Sequence, residues 1–514
     1  MAELTRRSVL AMGAAGAVTL LAGCAPTRPQ PSPSATPTAR RPDWAALERS
    51  VTGPLLRPGD TGYGRAKLTE NPAYDAARPL AVLTVASAAD VQAALRFAGR
   101  YDVPLAIRSG GHSYTGFSSG GAPGTGMPAS LVIDTRNLAQ VTLNGDRSAT
   151  IGAGAPLSLV YGGLGDAGRA IAAGSCATVG VSGLTLGGGV GVMTRAYGLT
   201  CDALKSVEIV TADGTIRHVD ANNDSDLFWA CRGGGGGHLG VVTALTFATV
   251  RAPQVTMFAL SWPIEQAAAV IDAWQNWAPT ADPKLWSTLK ILGGSRHPDT
   301  LGLSVSGTWL GDESGLDAHV APFFDAVGSR PASQSAGTHT YRDAMMRYAG
   351  CAGVALDACN TGPGGALTRE PFANTSHVAY DRLDAAGIDD LLAQAQAAQK
   401  VDGMVEGGVS LDALGGAAAS VSPDATAFVH RKALATVQYT STFDTGAAAD
   451  PYFAYVRGFR EAMRPHWGDW AYVNYADARI DDPATAYFGD NAPQLAAVAS
   501  KYDPEGLFTQ PQGY

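Results

Sequence analysis

Apolar and polar positions follow two rhythms along this chain. From Trp44 to about Val250, short apolar runs broken by glycine mix with helical stretches. Residues 88–100 (AADVQAALRFAGR) repeat apolar side chains every three or four positions and stop before Asp102-Val103-Pro104, which predicts an amphipathic helix. Residues 104–108 and 131–134 read as short strands, the first running straight into Ser109-Gly110-Gly111-His112. Residues 206–211 and 216–219, joined at Ala212-Asp213-Gly214, read as a hairpin, and 241–250 as a strand. Beyond 251 the rhythm shifts toward period two: 254–262, 301–309 and 428–443 alternate like strands, while 265–277 and 385–398 have helical spacing. This pattern predicts an α+β fold rather than a regular βαβ alternation. It divides the chain into a first domain over 43–250, a second over 251–460 built on an antiparallel sheet with helices on one face, and a terminal segment over 461–514 rich in aromatic and acidic residues.

The first residues follow neither rhythm. Thr5-Arg6-Arg7-Ser8 precedes an apolar stretch over 9–22 that is too short to remain as a membrane span. Residues 1–23 are therefore expected to be an export signal. Its arginine pair sits where a twin-arginine signal places one, and an ordinary export signal is the alternative. Leu21-Ala22-Gly23-Cys24 resembles a bacterial lipobox, with Cys24 as the lipid-bearing residue. Residues 24–42 (ending APTRPQPSPSATPTARRP) are Pro/Ser/Thr-rich and suit a tether. The expected location is extracytoplasmic, with the membrane touched only through the signal or lipid.

Composition narrows the partners. The 514 residues are 46% apolar and 16% charged, ordinary for a globular protein with a sizeable core. A formal charge of −9 argues against nucleic acid, which asks for a basic face. The 62 glycines show no short repeat, so they mark turns and close backbone approaches. Of six cysteines, Cys24 belongs to the signal, and Cys351 and Cys359 (CAGVALDAC) are spaced to close a small disulfide loop in an exported chain. Cys201 and Cys231 are expected as buried free thiols. No His/Cys spacing suggests a metal.

The chemistry concentrates in three runs. Residues 107–120 (IRSGGHSYTGFSSG) place His112 after a glycine pair. Residues 174–204 (GSCATVGVSGLTLGGGVGVMTRAYGLTCDAL) place Cys176 just before a glycine-rich loop. Residues 472–475 (YVNY) precede Asp477. A dinucleotide pyrophosphate is bound by closely approaching backbone N–H groups, hence by glycines. Gly235, Gly237 and Gly240 match the spacing of a Rossmann fingerprint, but a β-branched strand follows rather than a helix, so the run 233–240 is either a second backbone cradle for the pyrophosphate, beside that of 180–191, or a tight turn.

These motifs, with Ala486-Tyr487-Phe488-Gly489 and 502–508 (YDPEGLF), resemble the berberine-bridge-enzyme-like branch of the FAD-linked oxidases, within the vanillyl-alcohol-oxidase superfamily. The resemblance runs from about Arg65 to the end and is loose in the middle. It implies a two-part FAD-binding domain of PCMH type, a substrate domain with an antiparallel sheet covered by helices, and a C-terminal segment that returns to the first domain. It implies FAD bonded twice, His112 to the 8α carbon and Cys176 to ring carbon 6. It places Arg108, Ser109, Gly110, Gly111 and Ser113 on the cofactor, with the Ser109–Ser113 backbone at the pyrophosphate. Val179, Gly180, Gly183, Gly187, Gly188, Gly189, Gly240, Val242 and Asn474 complete the cofactor set, and Val179 corresponds to the position over flavin C4a that admits oxygen.

The same resemblance makes Tyr475 the base that takes a substrate hydroxyl proton during hydride transfer to N5, with Tyr472 nearby and Tyr114 on the substrate side. A tyrosine of ordinary pKa near 10 is a poor base at neutral pH, so a neighbouring positive or polar group is expected to lower it. The implied activity is oxidation of a sugar, oligosaccharide or secondary-metabolite CH–OH, with molecular oxygen reduced to hydrogen peroxide. A dehydrogenase with another acceptor and a non-catalytic flavin-loaded surface protein are the alternatives. One departure stands out: His238-Leu239 replaces the Asn-Phe usual in relatives. Trp274, Trp277, Trp286 and Trp309 could form a sugar-binding face or belong to the core.

Overall fold

The computed structural model describes residues 41–514. The expected signal at 1–23, Cys24 and nearly all of the tether at 24–42 lie outside the described residues.

A four-stranded sheet opens the fold, in the order Leu55–Leu56, Ala81–Thr84, Leu131–Asp134, Leu105–Arg108. Its last three strands are parallel. The crossover is the helix Ala88–Tyr101, which buries Val91, Ala94, Leu95 and Ala98 and ends at Asp102 in the left-handed region. One βαβ unit thus sits inside an otherwise antiparallel molecule. Next to it, a five-stranded antiparallel sheet runs Val141–Leu143, Ser148–Gly152, Val241–Ala248, Leu204–Val210, Ile216–Asp220 and includes the expected hairpin. The strand expected over 241–250 stops at Ala248. Arg169 bonds the Thr249 hydroxyl at 2.8 Å, and Val250–Arg251 pairs instead with Arg169–Ala170.

The third sheet has seven antiparallel strands: Ser333–Thr340, Gln254–Ser261, Gly302–Trp309, Leu285–Gly293, Met404–Ala413, Ala435–Phe443, Phe372–Ala379. Period two decides what each face does. Leu289, Ile291, Leu303, Val305, Val409, Leu411 and Val437 are buried against helices Ala267–Trp277, Glu313–Val327, Ala385–Ala397 and Asp450–Trp467. Each such side chain contributes about 1.5–3 kcal/mol by leaving water. The residues between them, including Trp286, Thr288, Lys290, Ser410, Asp412 and Gln438, line a cavity on the opposite face. Trp274, Trp277 and Trp309 belong to the helix-side core, where the Trp274 indole donates to Ser287 at 3.0 Å, so only Trp286 of the four tryptophans reaches the cavity.

The strand expected over 428–443 begins at Ala435. Before it, Arg431 is drawn out of strand register into a buried ion pair with Asp202, two bonds of 2.7 Å. Near the end of the chain, Tyr487, Phe488, Leu495, Val498 and Tyr502 pack into the same core as Leu227, Phe228 and Ala230. Residues 42–514 form one compact unit. Cys351 and Cys359 are disulfide-bonded, and Cys201 and Cys231 are buried and free.

The tightest approach between two loops is at Gly110 and Gly180. A Cβ on Gly180 would lie 1.9 Å from Ser109 Oγ and 2.3 Å from the Gly110 nitrogen, and one on Gly110 would lie 2.5 Å from the Thr178 carbonyl oxygen. Gly180 has φ −74, a value open to any residue, so its requirement is steric. Gly180→Ala is expected to destabilise the protein by about 1–3 kcal/mol, the ordinary cost of overpacking. Gly458→Ala, in an exposed helical position where a Cβ meets nothing within 4 Å, is expected to stabilise it by about 0.5–1 kcal/mol. Thermal unfolding of the two variants checks the pair; equal melting temperatures would mean that the crossing tolerates a side chain.

Candidate active site

The cavity of about 460 Å³ runs between the two glycine-bearing loops and the polar face of the seven-stranded sheet. Ser109, Gly110, Gly111, His112, Ser113, Cys176, Val179, Gly180, Gly183, Gly240, Val242 and Asn474 all line it, as do Tyr114 and Tyr475. The loops are joined to each other near its wall: besides the Gly110–Gly180 crossing, His112 Nε2 shares a 2.8 Å hydrogen bond with Thr178 Oγ1, two residues past Cys176. Burial pushes the His112 pKa down to about 4, so its ring is neutral at physiological pH. Cys176 is open to the cavity, yet the surrounding protein pushes its thiol up; Glu70 adds to this, while Ser175 and Lys290 oppose it.

Five expected site residues do not reach the cavity. Arg108 is buried beneath its loop, pairing with Asp134 at 2.8 Å and donating to the Lys67 carbonyl at 3.1 Å. Gly187, Gly188 and Gly189 lie behind the wall, where a Cβ would strike Asn474, Phe428 and Thr200 respectively. Tyr472 is also behind it. Its hydroxyl oxygen receives the N–H groups of Gly189 and Val190, at 3.0 and 3.1 Å, and Asn474 Nδ2 at 2.9 Å. Tyr472 therefore ties the glycine loop to the C-terminal segment.

The three tyrosines are otherwise arranged as a cluster. Tyr114 stacks on Tyr475 with centroids 5.5 Å apart and rings inclined by 8°, while Tyr472 meets Tyr475 edge-on at 5.0 Å. Gln438 Nε2 donates to the Tyr114 hydroxyl at 2.7 Å. Tyr475 lines the cavity, and its hydroxyl feels Asp412, Tyr114, Tyr472 and Cys176 through charge, with no hydrogen bond to another described residue. Ser376 holds its backbone, donating to the Tyr475 carbonyl at 3.0 Å.

The expected lowering of the tyrosine pKa is not found. Burial, then the charge of Asp412, then Tyr114, Tyr472 and Cys176 push the Tyr475 phenol well above its usual value. Tyr114 is pushed up likewise, and Tyr472 to about 12, with burial the main cause in both. Asp412 itself is raised by burial against the weaker pull of Thr288 and Lys290. Asp412, Lys290, Thr288, Ser410 and Gln438 are absent from the sequence-based site. Their signal was the alternation in 285–293, 404–413 and 435–443, where polar side chains fall between apolar ones.

His238 lines the cavity with its ring 4.9 Å from Tyr514. Burial pushes its pKa to about 4, so its ring is neutral.

The comparisons agree with this architecture. Residues 79–220 match an FAD binding domain, and residues 471–513 match the family described as berberine and berberine like. An uncharacterised FAD-linked oxidoreductase of Bacillus subtilis is 32% identical over 464 residues, covering 89% of this chain and 96% of that protein. The chain belongs to the berberine-bridge-enzyme-like FAD-linked oxidoreductases. A chitooligosaccharide oxidase of Gibberella zeae is 32% identical over 459 residues, covering 84% of this chain and 87% of its own. The solved structure of a chitooligosaccharide oxidase superposes with a TM-score of 0.80 at 27% identity, covering 91% of this chain and 98% of that one. The BBE-like 1 protein of Physcomitrella patens gives 0.81 at 27%, with the same coverage.

The residues present fit the FAD that this berberine-bridge-enzyme-like fold binds. Among the described residues lining the cavity, Lys290 is the sole lysine or arginine, and it stands on the sheet rather than on the loops. Pyrophosphate charge would therefore fall to the bare backbone of Ser109–Ser113 and of Gly180 and Gly183, as a glycine-built cradle requires.

Proposed function

We propose that this enzyme is an oxidase that holds FAD through two covalent bonds, at His112 and Cys176, and oxidises the CH–OH of a sugar or oligosaccharide, or of a similar alcohol. The observation that carries the reading is the Tyr475 hydroxyl, the one of three clustered phenols that faces the cavity without a protein partner, within the electrostatic reach of Asp412. The chitooligosaccharide and glucooligosaccharide oxidases among its relatives favour a saccharide.

FAD, when bound, supplies a two-electron acceptor. That acceptor would take a hydride from the substrate carbon, which leaves the hydroxyl proton for the protein to hold. Tyr475 cannot wait as a phenolate, because burial and Asp412 both oppose that charge. It therefore accepts the substrate proton only as its own proton leaves, relayed across the cavity toward the Asp412 carboxylate rather than through a direct hydrogen bond, so that no buried phenolate forms. Tyr114, held by Gln438, keeps the Tyr475 ring flat. The neutral imidazole of His112, with Nε2 engaged by Thr178, presents Nδ1 as a nucleophile for the first flavin bond. Val179, a small side chain in the cavity wall, leaves room for oxygen, and hydrogen peroxide is the second product.

Three tests follow from this reading. Denatured, acid-precipitated protein should stay yellow, and either single variant, His112→Ala or Cys176→Ala, should keep its flavin through the remaining bond; release of free FAD from the unmodified protein would exclude double attachment. Stopped-flow flavin bleaching should slow by ~10²–10⁴-fold in both Tyr475→Phe and Asp412→Asn, the usual worth of a positioned acid–base group. Because Asp412 must be ionised to receive the proton and its pKa is raised, the wild-type bleaching rate should climb as pH rises through that elevated value, and Asp412→Asn should lose the climb. An unchanged rate in Tyr475→Phe would sink the assignment. The export route proposed from Arg6-Arg7 and Cys24 predicts that Arg6→Lys with Arg7→Lys traps the protein in the cytoplasm and that Cys24→Ser frees it from the membrane; normal export of the double-lysine form would remove the twin-arginine route.

A further inference from the structure

One half-buried carboxylate beside the two attachment residues takes no part in the mechanism above. Glu70 is tied to both glycine-bearing loops. Its backbone N–H donates to the Gly111 carbonyl at 3.1 Å, one residue before His112. Its carboxyl group is hydrogen-bonded to the Thr178 hydroxyl, the same hydroxyl that meets His112 Nε2 at 2.8 Å. Imidazole, hydroxyl and carboxylate therefore stand in one line. A carboxylate only accepts, so the Thr178 hydrogen points at Glu70 and the Thr178 oxygen turns a lone pair to His112. Nε2 must then carry the ring hydrogen, which leaves Nδ1 with its lone pair free. The ring is also hydrogen-bonded to the Thr178 carbonyl, which can only accept. The line is fixed from behind at both ends. Thr361 donates to Glu70 Oε2 at 3.0 Å, and Arg369, itself held by Asp75 at 3.1 Å, favours the Glu70 charge. Ala177 packs in one cluster with the disulfide-bonded Cys351 and Cys359. Burial raises the Glu70 carboxyl above its ordinary value, against the pull of Thr361, Thr178 and Arg369, and so makes it a stronger proton acceptor.

From this line of groups we infer that Glu70 is a positioning residue for flavin attachment: through Thr178 it fixes His112 in the Nε2–H tautomer and receives the proton that leaves when Nδ1 bonds the cofactor. This rests on the covalent attachment proposed above and names the residues that drive one of its two bonds. In that step an 8α C–H bond gives way to a C–N bond made from the Nδ1 lone pair. The 8α hydrogen leaves to solvent as a proton, and the Nε2 hydrogen leaves through the Thr178 hydroxyl to Glu70. The displaced electron pair passes through the ring system to molecular oxygen, which with two protons becomes hydrogen peroxide. A buried carboxylate sets an imidazole tautomer in the same way in an acid–base triad, here with a hydroxyl interposed. Cys176 supplies a control of opposite sign. Its nucleophile is the thiolate, and the Glu70 charge disfavours that form. Removing the charge should therefore hinder one bond and not the other.

The test supplies FAD to full-length protein made in a riboflavin-starved host and follows acid-insoluble flavin with time. In a Cys176→Ala background, where only His112 can attach, Glu70→Gln should slow bond formation by ~10²-fold or more, the usual worth of a positioned acid–base group. In a His112→Ala background, where only Cys176 can attach, Glu70→Gln should leave the rate equal or higher, which also shows that the variant folds and takes up FAD. Thr178→Val should slow the His112 bond as Glu70→Gln does, and Thr178→Ser, which keeps the hydroxyl, should restore most of the rate. An unchanged His112 rate in Glu70→Gln overturns the inference. So does equal slowing of both bonds, because Glu70 would then only be holding the loops together. A Cys176→Ala protein that never retains flavin overturns the attachment reading itself, and the tautomer then decides the relay separately. Ring-nitrogen NMR shifts of His112 in the unloaded protein uphold it if Nε2 carries the hydrogen and Glu70→Gln redistributes it. They overturn it if the hydrogen sits on Nδ1 or if the substitution changes nothing.

Discussion

Everything at the site depends on two backbones touching where no side chain fits. Gly110 and Gly180 approach so closely that a methyl on either would overlap the other loop. One loop carries His112 and the other Cys176. The contact sets their separation without using a side chain from either, and the His112–Thr178 bond then fixes how they face each other. A side-chain contact would leave rotamers to choose among, whereas a backbone crossing leaves none. The helix Val181–Leu186 starts directly after the crossing and carries the geometry into the core, where Val181 is fully buried.

The opposite wall is built by a different rule. A seven-stranded sheet has one face committed to its helices, so the other face is free to be polar without costing the core. Asp412, Lys290, Thr288, Ser410 and Gln438 are all placed by alternation alone, each one residue away from a buried aliphatic side chain. The loops thus fix the cofactor side rigidly while the sheet offers positions that can be exchanged one at a time.

This division also explains what the amino-acid order disclosed. The loop residues were legible because glycine pairs and a lone histidine or cysteine are conspicuous in one dimension, and their neighbours in sequence are their neighbours in space. Asp412 and Lys290 were not, because a polar residue in an alternating strand looks the same whether it faces water or a substrate. Arg108 shows the converse: it is next to the motif in sequence, yet its side chain turns inward to Asp134. Gly187, Gly188 and Gly189 fail for a related reason, since a glycine needed for packing against Asn474, Phe428 and Thr200 is indistinguishable in sequence from one needed for a ligand. The tyrosine motif marked phenols that cluster in space, but which of them is free depends on Gln438, Gly189 and Val190, far away in the chain. Strand 428–443 was overextended because the Arg431–Asp202 pair, a contact across more than two hundred residues, is invisible to local alternation.

Tyr475, Tyr487 and Gln512, which help to wall the cavity, come from the last forty or so residues of the chain, whereas Gly110 and His112 come from its first quarter. A ribosome that has made the whole cradle for the pyrophosphate still has most of the protein left to synthesise, and the exit tunnel hides a further stretch after that. The pocket closes only once residues 475–512 have emerged. Holding the cofactor therefore waits on residues 475–512, and a chain without them carries His112 and Cys176 with no enclosure to keep the flavin in.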